Sequence, residues 1–375
     1  MPFIYTAKRT ALGGLNGALS AHSGPALGAA AIAAACPEAL RGQVDEVLMG
    51  NVISAGVGQA PARQASLGAG LGSHIPCTTV SKVCGSGMQA VMTAADQIRA
   101  GSSRLVVAGG MESMSNAPYL LDKARQGYRI GHQQVRDAMF VDGLEDAYSG
   151  KLMGQVAEQV AAEHQFTREA LDDYALLSLE RALAAQRSGA FAAEIVALGE
   201  IDQDEQPGNA RPDKIRQLRP AFAADGVLTA ANSSSISDGG AALLVGDASI
   251  EMAPLAEIKG YTRFAAAPEQ FPVAPVYAVE NLLKQLGWQA GDVDLYEINE
   301  AFALVALLPH KLIGIPVEKI NVNGGACSLG HPLGCSGARI LVTLIHALQT
   351  RGLKRGIASL CIGGGEATAV AVEVC

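Results

Sequence analysis

Two cysteines far apart in the chain stand beside glycines: Cys84 in Val83-Cys84-Gly85-Ser86-Gly87-Met88, and Cys361 in Leu360-Cys361-Ile362-Gly363-Gly364-Gly365. Between them lie Asn299-Glu300-Ala301-Phe302 and Gly330-His331-Pro332. A nucleophilic thiol, a second thiol, an imidazole and an amide together can make or break a carbon–carbon bond through a thioester. Because the thiolate is the reactive form of cysteine, such chemistry also needs a group that moves the thiol proton.

The flanking residues indicate where each group sits. After Cys84, apolar residues recur at Met88, Val91, Met92, Ala95 and Ile98, a helical period that puts the thiol at a helix start. The partial positive charge there is expected to lower its pKa. A lone cysteine is more often a small packing residue; the glycines and the partner groups turn the reading toward a nucleophile. His331 sits in a glycine-rich turn before a helix running from Gly337 to Leu348, held to accept the thiol proton and later donate to an oxyanion. Cys361 ends an inner strand, and the glycines after it leave backbone N–H groups open to a substrate oxygen. Asn299 and Glu300 follow an apolar strand, at the end that faces ligands in open α/β sheets. Asn299 is suited to a water or a carbonyl, and Glu300 to fixing nearby backbone. A zinc site from Cys84, His331 and Cys361 matches no compact ligand spacing, so no metal ligands are assigned. Cys36, Cys77, Cys327, Cys335 and Cys375 read as structural.

The elements that must position these groups occur twice. Asp45 to Gly50 reads as a strand, followed by Cys84-Gly-Ser-Gly, a helix, and the strand Leu105 to Ala108 ending in Gly109-Gly110. Asp294 to Ile298, Cys335-Ser-Gly, a helix and Ile357 to Leu360 repeat that order about 250 residues later. Such a repeat implies two duplicated α/β units around an approximate two-fold axis, with equivalent strand ends facing a shared centre. Residues 1–113, completed by 238–256, read as the N-terminal half and 257–375 as the C-terminal half. Between them, 114–237 reads as an insertion. It carries a helix from Thr167 to Ser188 with Thr167 as N-cap, and a loop from Asp202 to Lys214 marked by Pro207, Gly208 and Pro212.

Composition narrows the function classes. The 375 residues include 43 glycines but only 5% aromatics, which suits small-residue helices packed closely on sheets. A formal net charge of −8 argues against nucleic acid or an anionic membrane as the main partner. Basic clusters at Lys123 to Arg136 and at Arg211, Lys214, Arg216 and Arg219 are the places where an anionic ligand would bind. Seven unpaired cysteines read as reduced thiols, and the apolar runs are too short to span a bilayer, so the expectation is a cytoplasmic protein with no membrane segment.

Taken together, these segments resemble the thiolase family, most closely its acetyl-CoA acetyltransferases, over essentially the whole chain. The resemblance rests on Arg9-Thr10, Gln59-Ala60-Pro61-Ala62-Arg63-Gln64, Val83 to Gly87, Ala108 to Ser115, Asn299 to Phe302, Asn323-Gly324-Gly325-Ala326 with Gly330-His331-Pro332, and Cys361 to Gly365. It implies a five-layer α/β/α/β/α core from two duplicated halves, with an inserted loop domain covering coenzyme A. It also implies reversible condensation of two acetyl-CoA to acetoacetyl-CoA and CoA. In that cycle Cys84 is acylated, His331 activates it, Cys361 exchanges the proton on carbon, and Asn299 anchors a water. Backbone N–H groups of Cys84 and Gly363 form an oxyanion hole.

For the cofactor arm, the resemblance places Ser234 and Met153 along pantetheine. Two positions depart from the family pattern: Leu152-Met153-Gly154 replaces His-Met-Gly, and Ser235 follows Ser234 where a glycine is usual. The first removes a polar group from the acyl end of the pocket. Phe271 to Tyr277 resembles members that bind potassium through backbone oxygens, and Ala124 to Met139 resembles the loop that builds homotetramers. No tightly bound cofactor is implied. The rival within the family is a 3-ketoacyl-CoA thiolase for longer chains. Outside catalysis the rival is an inactive acyl-CoA-binding scaffold, against which the intact Cys84, His331 and Cys361 speak.

Overall fold

The computed structural model describes all of residues 1–375. Its main sheet is 11-stranded and mixed. The first part holds β1 (Phe3–Thr10), β2 (Glu46–Gly50), β3 (Cys77–Val80), β4 (Leu105–Ser113) and β5 (Ser237–Gly246). The second holds β6 (Ala256–Ala265), β7 (Leu295–Ile298), β8 (Arg355–Ile362) and β9 (Glu366–Val374). They lie in the order β7-β8-β9-β6-β1-β5-β4-β2-β3.

The duplication is visible strand by strand. In the first half β2 is parallel to β4, β4 antiparallel to β5, and β5 antiparallel to β1. In the second, β7, β8, β9 and β6 repeat those relations in that order. Even the strand entrances match. Asp45 accepts the N–H groups of Arg104 and Leu105 at 2.6 and 3.0 Å, and Asp294 accepts those of Lys354 and Arg355 at 3.0 and 2.8 Å. A short antiparallel contact, Phe3 opposite Glu257, joins β1 to β6 and makes one sheet of the two.

The longer helices are α1 (Gly24–Ala35), α2 (Ser86–Ala100), α3 (Met153–Glu163), α4 (Arg168–Ser188), α5 (Ala274–Leu286), α6 (Ala303–Ile313) and α7 (Leu333–Arg351). Helix α1 covers the outer face of β1, β4 and β5, and α5 covers that of β6, β8 and β9. Between the two half-sheets lie α2 and α7, packed on each other, which completes five layers. Being covered on both sides, α7 is buried from Leu333 to Leu348, its polar Ser336, Arg339, Thr343 and His346 included.

Glycine lets the two central helices meet at their starts. A Cβ on Gly87 would lie 2.9 Å from the Gly334 carbonyl oxygen, and one on Gly337 would lie 2.5 Å from the Met88 nitrogen. No side chain fits at either point. That contact brings the residues just before α2 and α7, Cys84 and His331, to the same place.

In the inserted segment α4 begins one residue after Thr167, whose hydroxyl accepts the Ala170 N–H at 3.2 Å, as the sequence predicts. The stretch expected as loop from Asp202 to Lys214 differs: it holds short helices at Glu205–Asn209 and Pro212–Ile215. Pro212 opens the second one, where its fixed φ and missing N–H cost nothing. No helix is long and apolar enough to cross a membrane.

Candidate active site

Cys84 closes a tight turn between β3 and α2. The Gly85 N–H donates to the Lys82 carbonyl at 3.0 Å, the Lys82 N–H to the Ser86 hydroxyl at 2.8 Å, and that hydroxyl to the Val83 carbonyl at 2.7 Å. Val83 is held at φ +45°, a left-handed conformation disfavoured for a β-branched residue. Strain of this kind persists where the surroundings over-determine a turn, here the one that presents the thiol.

Cys84, Cys361, His331, Gly363, Ser234 and Met153 line one cavity of about 410 Å³. Its apolar wall comes from Leu144, Phe271, Phe302 and Leu333. Phe302 meets Phe222 edge to face, with ring centroids 5.9 Å apart. Gly363 lines the same cavity, and its backbone favours the charged form of Cys84. The glycine loop that carries it turns at Gly364 and Gly365, with φ of +93° and +86°, a region open chiefly to glycine.

The thiol itself corrects an expectation. Its position before α2 was expected to lower its pKa, yet burial pushes it up to about 11, and the backbone around it, Gly363 first, only partly offsets this. Cys361 is raised further above the ordinary thiol value by burial and by the neighbouring Cys84. His331 moves the other way, lowered to about 3 by burial and then by the positive charge of Arg339. At neutral pH the resting site therefore holds two thiols and a neutral imidazole, a base ready to accept a proton as Cys84 attacks.

Both the backbone and the ring of His331 are held. Its backbone N–H donates to the Ser235 carbonyl at 3.1 Å, and ring Nδ1 lies 2.5 Å from the Ser336 hydroxyl. The Ser336 hydroxyl is also 2.9 Å from the Pro332 carbonyl, which can only accept. Nδ1–H therefore donates to Ser336, Ser336 donates to Pro332, and Nε2 is left bare as the base. The Asn299 amide nitrogen stands 3.4 Å from Nε2, while Asn299 Oδ1 is buried without a partner. A buried acceptor of this kind is satisfied by ordered water.

Two buried glutamates hold the loops. Glu300 accepts from Tyr174, Ser178, Asn321 and the Cys327 N–H at 2.8–3.0 Å, tying α4 to the segment before His331. Glu112, which sequence reasoning did not single out, accepts the Val52, Ile53 and Gly334 N–H groups at 3.0, 3.2 and 2.8 Å. It thereby fixes the turn that carries His331. Ser336 and the Phe271–Phe302 wall were also not foreseen, and the only hint of Ser336 in the sequence was its place in a Cys-Ser-Gly helix start.

Of the expected ligand contacts, Met153 lies in the cavity beside Gly363, where an added Cβ would come within 3.5 Å of the Met153 sulfur. Ser234 is held by its N–H on the Ala301 carbonyl at 2.9 Å. Leu152 does not reach the lining; it occupies the N-cap position of α3, because the chain turns into the helix there and only Met153 projects inward. Ser235 is accommodated by turning its hydroxyl to Ser237 at 3.2 Å. On its far side opens a second cleft of about 880 Å³, with Arg211, Lys214, Leu218 and Ala231 on its wall. The other basic stretch, Lys123 to Arg136, is exposed surface, where Arg136 pairs with Asp122 at 3.2 Å.

Known proteins match along the whole chain. The model of the thiolase N-terminal domain matches residues 3–249 and that of the thiolase C-terminal domain residues 252–374. An acetyl-CoA acetyltransferase 2 of Arabidopsis thaliana is 50% identical over 98% of this chain and 95% of its own length. An acetyl-CoA acetyltransferase of Escherichia coli is 49% identical over 99% and 98%. A thiolase of Ascaris suum, solved in complex with coenzyme A, superposes with a TM-score of 0.96 at 39% identity, covering 100% of both chains. With this agreement in sequence, in fold and in the meeting of Cys84, His331 and Cys361, the chain belongs to the thiolase family.

Proposed function

We propose that the chain is an acetyl-CoA C-acetyltransferase working through an acetyl-Cys84 intermediate. The observation that carries this reading is the convergence of Cys84, Cys361 and a neutral His331 on one small cavity, with Gly363 beside them. Cys84 attacks the carbonyl carbon of acetyl-CoA as His331 takes its proton. The C–S bond to CoA then breaks, and the CoA sulfur leaves with that proton. Cys361, once its thiol proton has passed to the freed His331, removes a proton from the methyl of a second acetyl-CoA, and the resulting carbon attacks the acetyl group. The Cys84 sulfur leaves, taking the proton back from His331, and acetoacetyl-CoA forms. Cleavage is the same path reversed.

Charge developing on oxygen has two places to go. The N–H groups of Cys84 and Gly363 serve the acetyl oxygen, and His331 with a water on the unpartnered Asn299 Oδ1 serves the other thioester. Losing one such donor costs about 100- to 1,000-fold in rate. CoA fits the path from Ser234 outward past Ser235 to the second cleft, where Arg211 and Lys214 supply positive charge for its phosphates. The close relatives are named for acetyl-CoA, and the structural neighbour holds coenzyme A. We place residues 114–237 as the domain that covers CoA. The seven free cysteines support a reducing cytoplasm, and exposed Tyr128, Ile130 and Val135 support burial of Ala124 to Met139 in a homotetramer.

The test is CoA-dependent cleavage of acetoacetyl-CoA beside a medium-chain 3-ketoacyl-CoA, with and without potassium, and with Cys84→Ala as control. We expect acetoacetyl-CoA to be preferred and Cys84→Ala to be inactive. Preference for the longer substrate would mean a broader 3-ketoacyl-CoA thiolase, its chain length set by the Leu144, Phe271, Phe302 and Leu333 wall.

A further inference from the structure

Two segments of the inserted region line the second cleft. Ile215 and Leu218 come from one, and Ala230, Ala231 and Ser235 from the other, whose Ser234 lines the catalytic cavity. The first has little structure of its own: a four-residue helix, Pro212–Ile215, and a turn in which the Leu218 N–H reaches the Ile215 carbonyl at 3.3 Å. Its place beside the second segment has to be set from outside.

Both segments are tied to one carboxylate. Asp172, one turn into α4 and 2% exposed, accepts from Arg168 Nε at 2.6 Å through one oxygen and from Asn232 Nδ2 at 2.9 Å through the other. Arg168 Nη2 in turn donates to the Ile215 and Leu218 carbonyls at 3.3 and 2.8 Å. Asn232, fully buried, organises the other segment. Its Nδ2 also donates to the Val227 carbonyl at 3.1 Å, its Oδ1 accepts the Thr229 N–H at 2.7 Å, and its own carbonyl accepts the Ala303 N–H at 2.8 Å. Ala303 opens α6 directly after Ala301 and Phe302 of the cavity wall. A carboxylate suits this place because it accepts on both sides, where an amide would turn an N–H against one of its two donors.

We infer that Asp172 is a positioning residue for CoA: through Arg168 and Asn232 it sets both segments before the nucleotide end of CoA arrives. The inference rests on the reading above that CoA runs from Ser234 past Ser235 into this cleft. A site ordered in advance spares the binding step the cost of ordering it. Neither Asp172 nor Arg168 lines the cleft or the catalytic cavity, so the clamp acts on binding through the segments it holds and leaves the reacting groups alone.

The experiment compares cleavage of acetoacetyl-CoA by CoA with cleavage of acetoacetyl-pantetheine by pantetheine, which lacks the nucleotide end. It uses the wild type, Asp172→Asn, Arg168→Met and a double variant, Arg211→Ala with Lys214→Ala, together with calorimetric titration of CoA and thermal melting. Asp172→Asn keeps the shape of the side chain but faces one neighbour with a donor; Arg168→Met releases the Ile215 and Leu218 carbonyls and leaves Asn232 on Asp172. We expect each to raise the KM and Kd for CoA about 10-fold, the equivalent of about one hydrogen bond, with kcat near the wild-type value and the pantetheine reaction unchanged. A CoA Kd unchanged in either variant would overturn the proposal. So would an equal loss on the CoA and pantetheine reactions, the mark of a residue that only supports the fold. If Asp172→Asn does not fold, Arg168→Met decides by the same two criteria. Failure of the underlying reading is separate and takes the proposal with it: the double variant would then bind CoA as tightly as the wild type.

Discussion

Cys84 and Cys361 carry the same side chain in the same cavity, and their surroundings set them different tasks. Cys84 stands on a turn strained at Val83, and the Gly363 backbone favours its charged form. Cys361 lies within β8, paired to Ala367 across the hairpin, and its pKa is raised by burial and by Cys84. A thiol that ionises so reluctantly makes a strong base once charged, which suits taking a proton from carbon. In the proposed cycle Cys361→Ser should therefore still transfer acetyl to Cys84 but lose condensation by at least about 100-fold, in the range that general acid–base groups contribute. Mass spectrometry of the acetylated protein beside the condensation rate checks this. Equal loss of both half-reactions would sink the division of labour.

At the scale of elements, the site depends on two helix starts brought together by glycine. Gly337→Ala would push a Cβ against the Met88 backbone. Such overpacking costs about 1–3 kcal/mol, and the displacement separates Cys84 from His331, so kcat should fall well before the fold is lost. Melting temperature and kcat of the variant measure the two effects apart; an unchanged kcat would show that the contact is not what sets the distance. Much of this arrangement was legible in the sequence. Asp45 and Asp294, the paired Cys-Gly/Ser-Gly starts and the strands ending in glycines revealed the repeat, because each unit carries its own local signals. What local signals do not encode are contacts between halves. The β1–β6 junction and the Glu112 carboxylate on the Gly334 N–H join residues 254 and 222 apart. The Asp202 to Lys214 stretch misled because proline, read as a breaker, opens a helix at Pro212.

For the whole molecule, burying a base and an acid in one interior sets a window of stability. His331 ordinarily titrates at 6.5 but is lowered to about 3 when folded. The unfolded chain thus takes up a proton that the folded one refuses, and stability present above pH 6.5 is lost as pH falls from there toward 3. Glu112 is the opposite case, raised from 4.5 to about 7, chiefly by burial despite its N–H donors. Its contribution is complete below pH 4.5 and lost as pH rises through 7. Each group changes stability by about 1.4 kcal/mol per pH unit inside its window. The two slopes oppose one another between 4.5 and 6.5, which predicts a broad maximum there. Melting temperature followed from pH 4 to 9 should be flattened on the acid side by His331→Asn and on the alkaline side by Glu112→Gln. Should either variant only lower the whole curve without changing its slope, that group is not a source of the pH dependence.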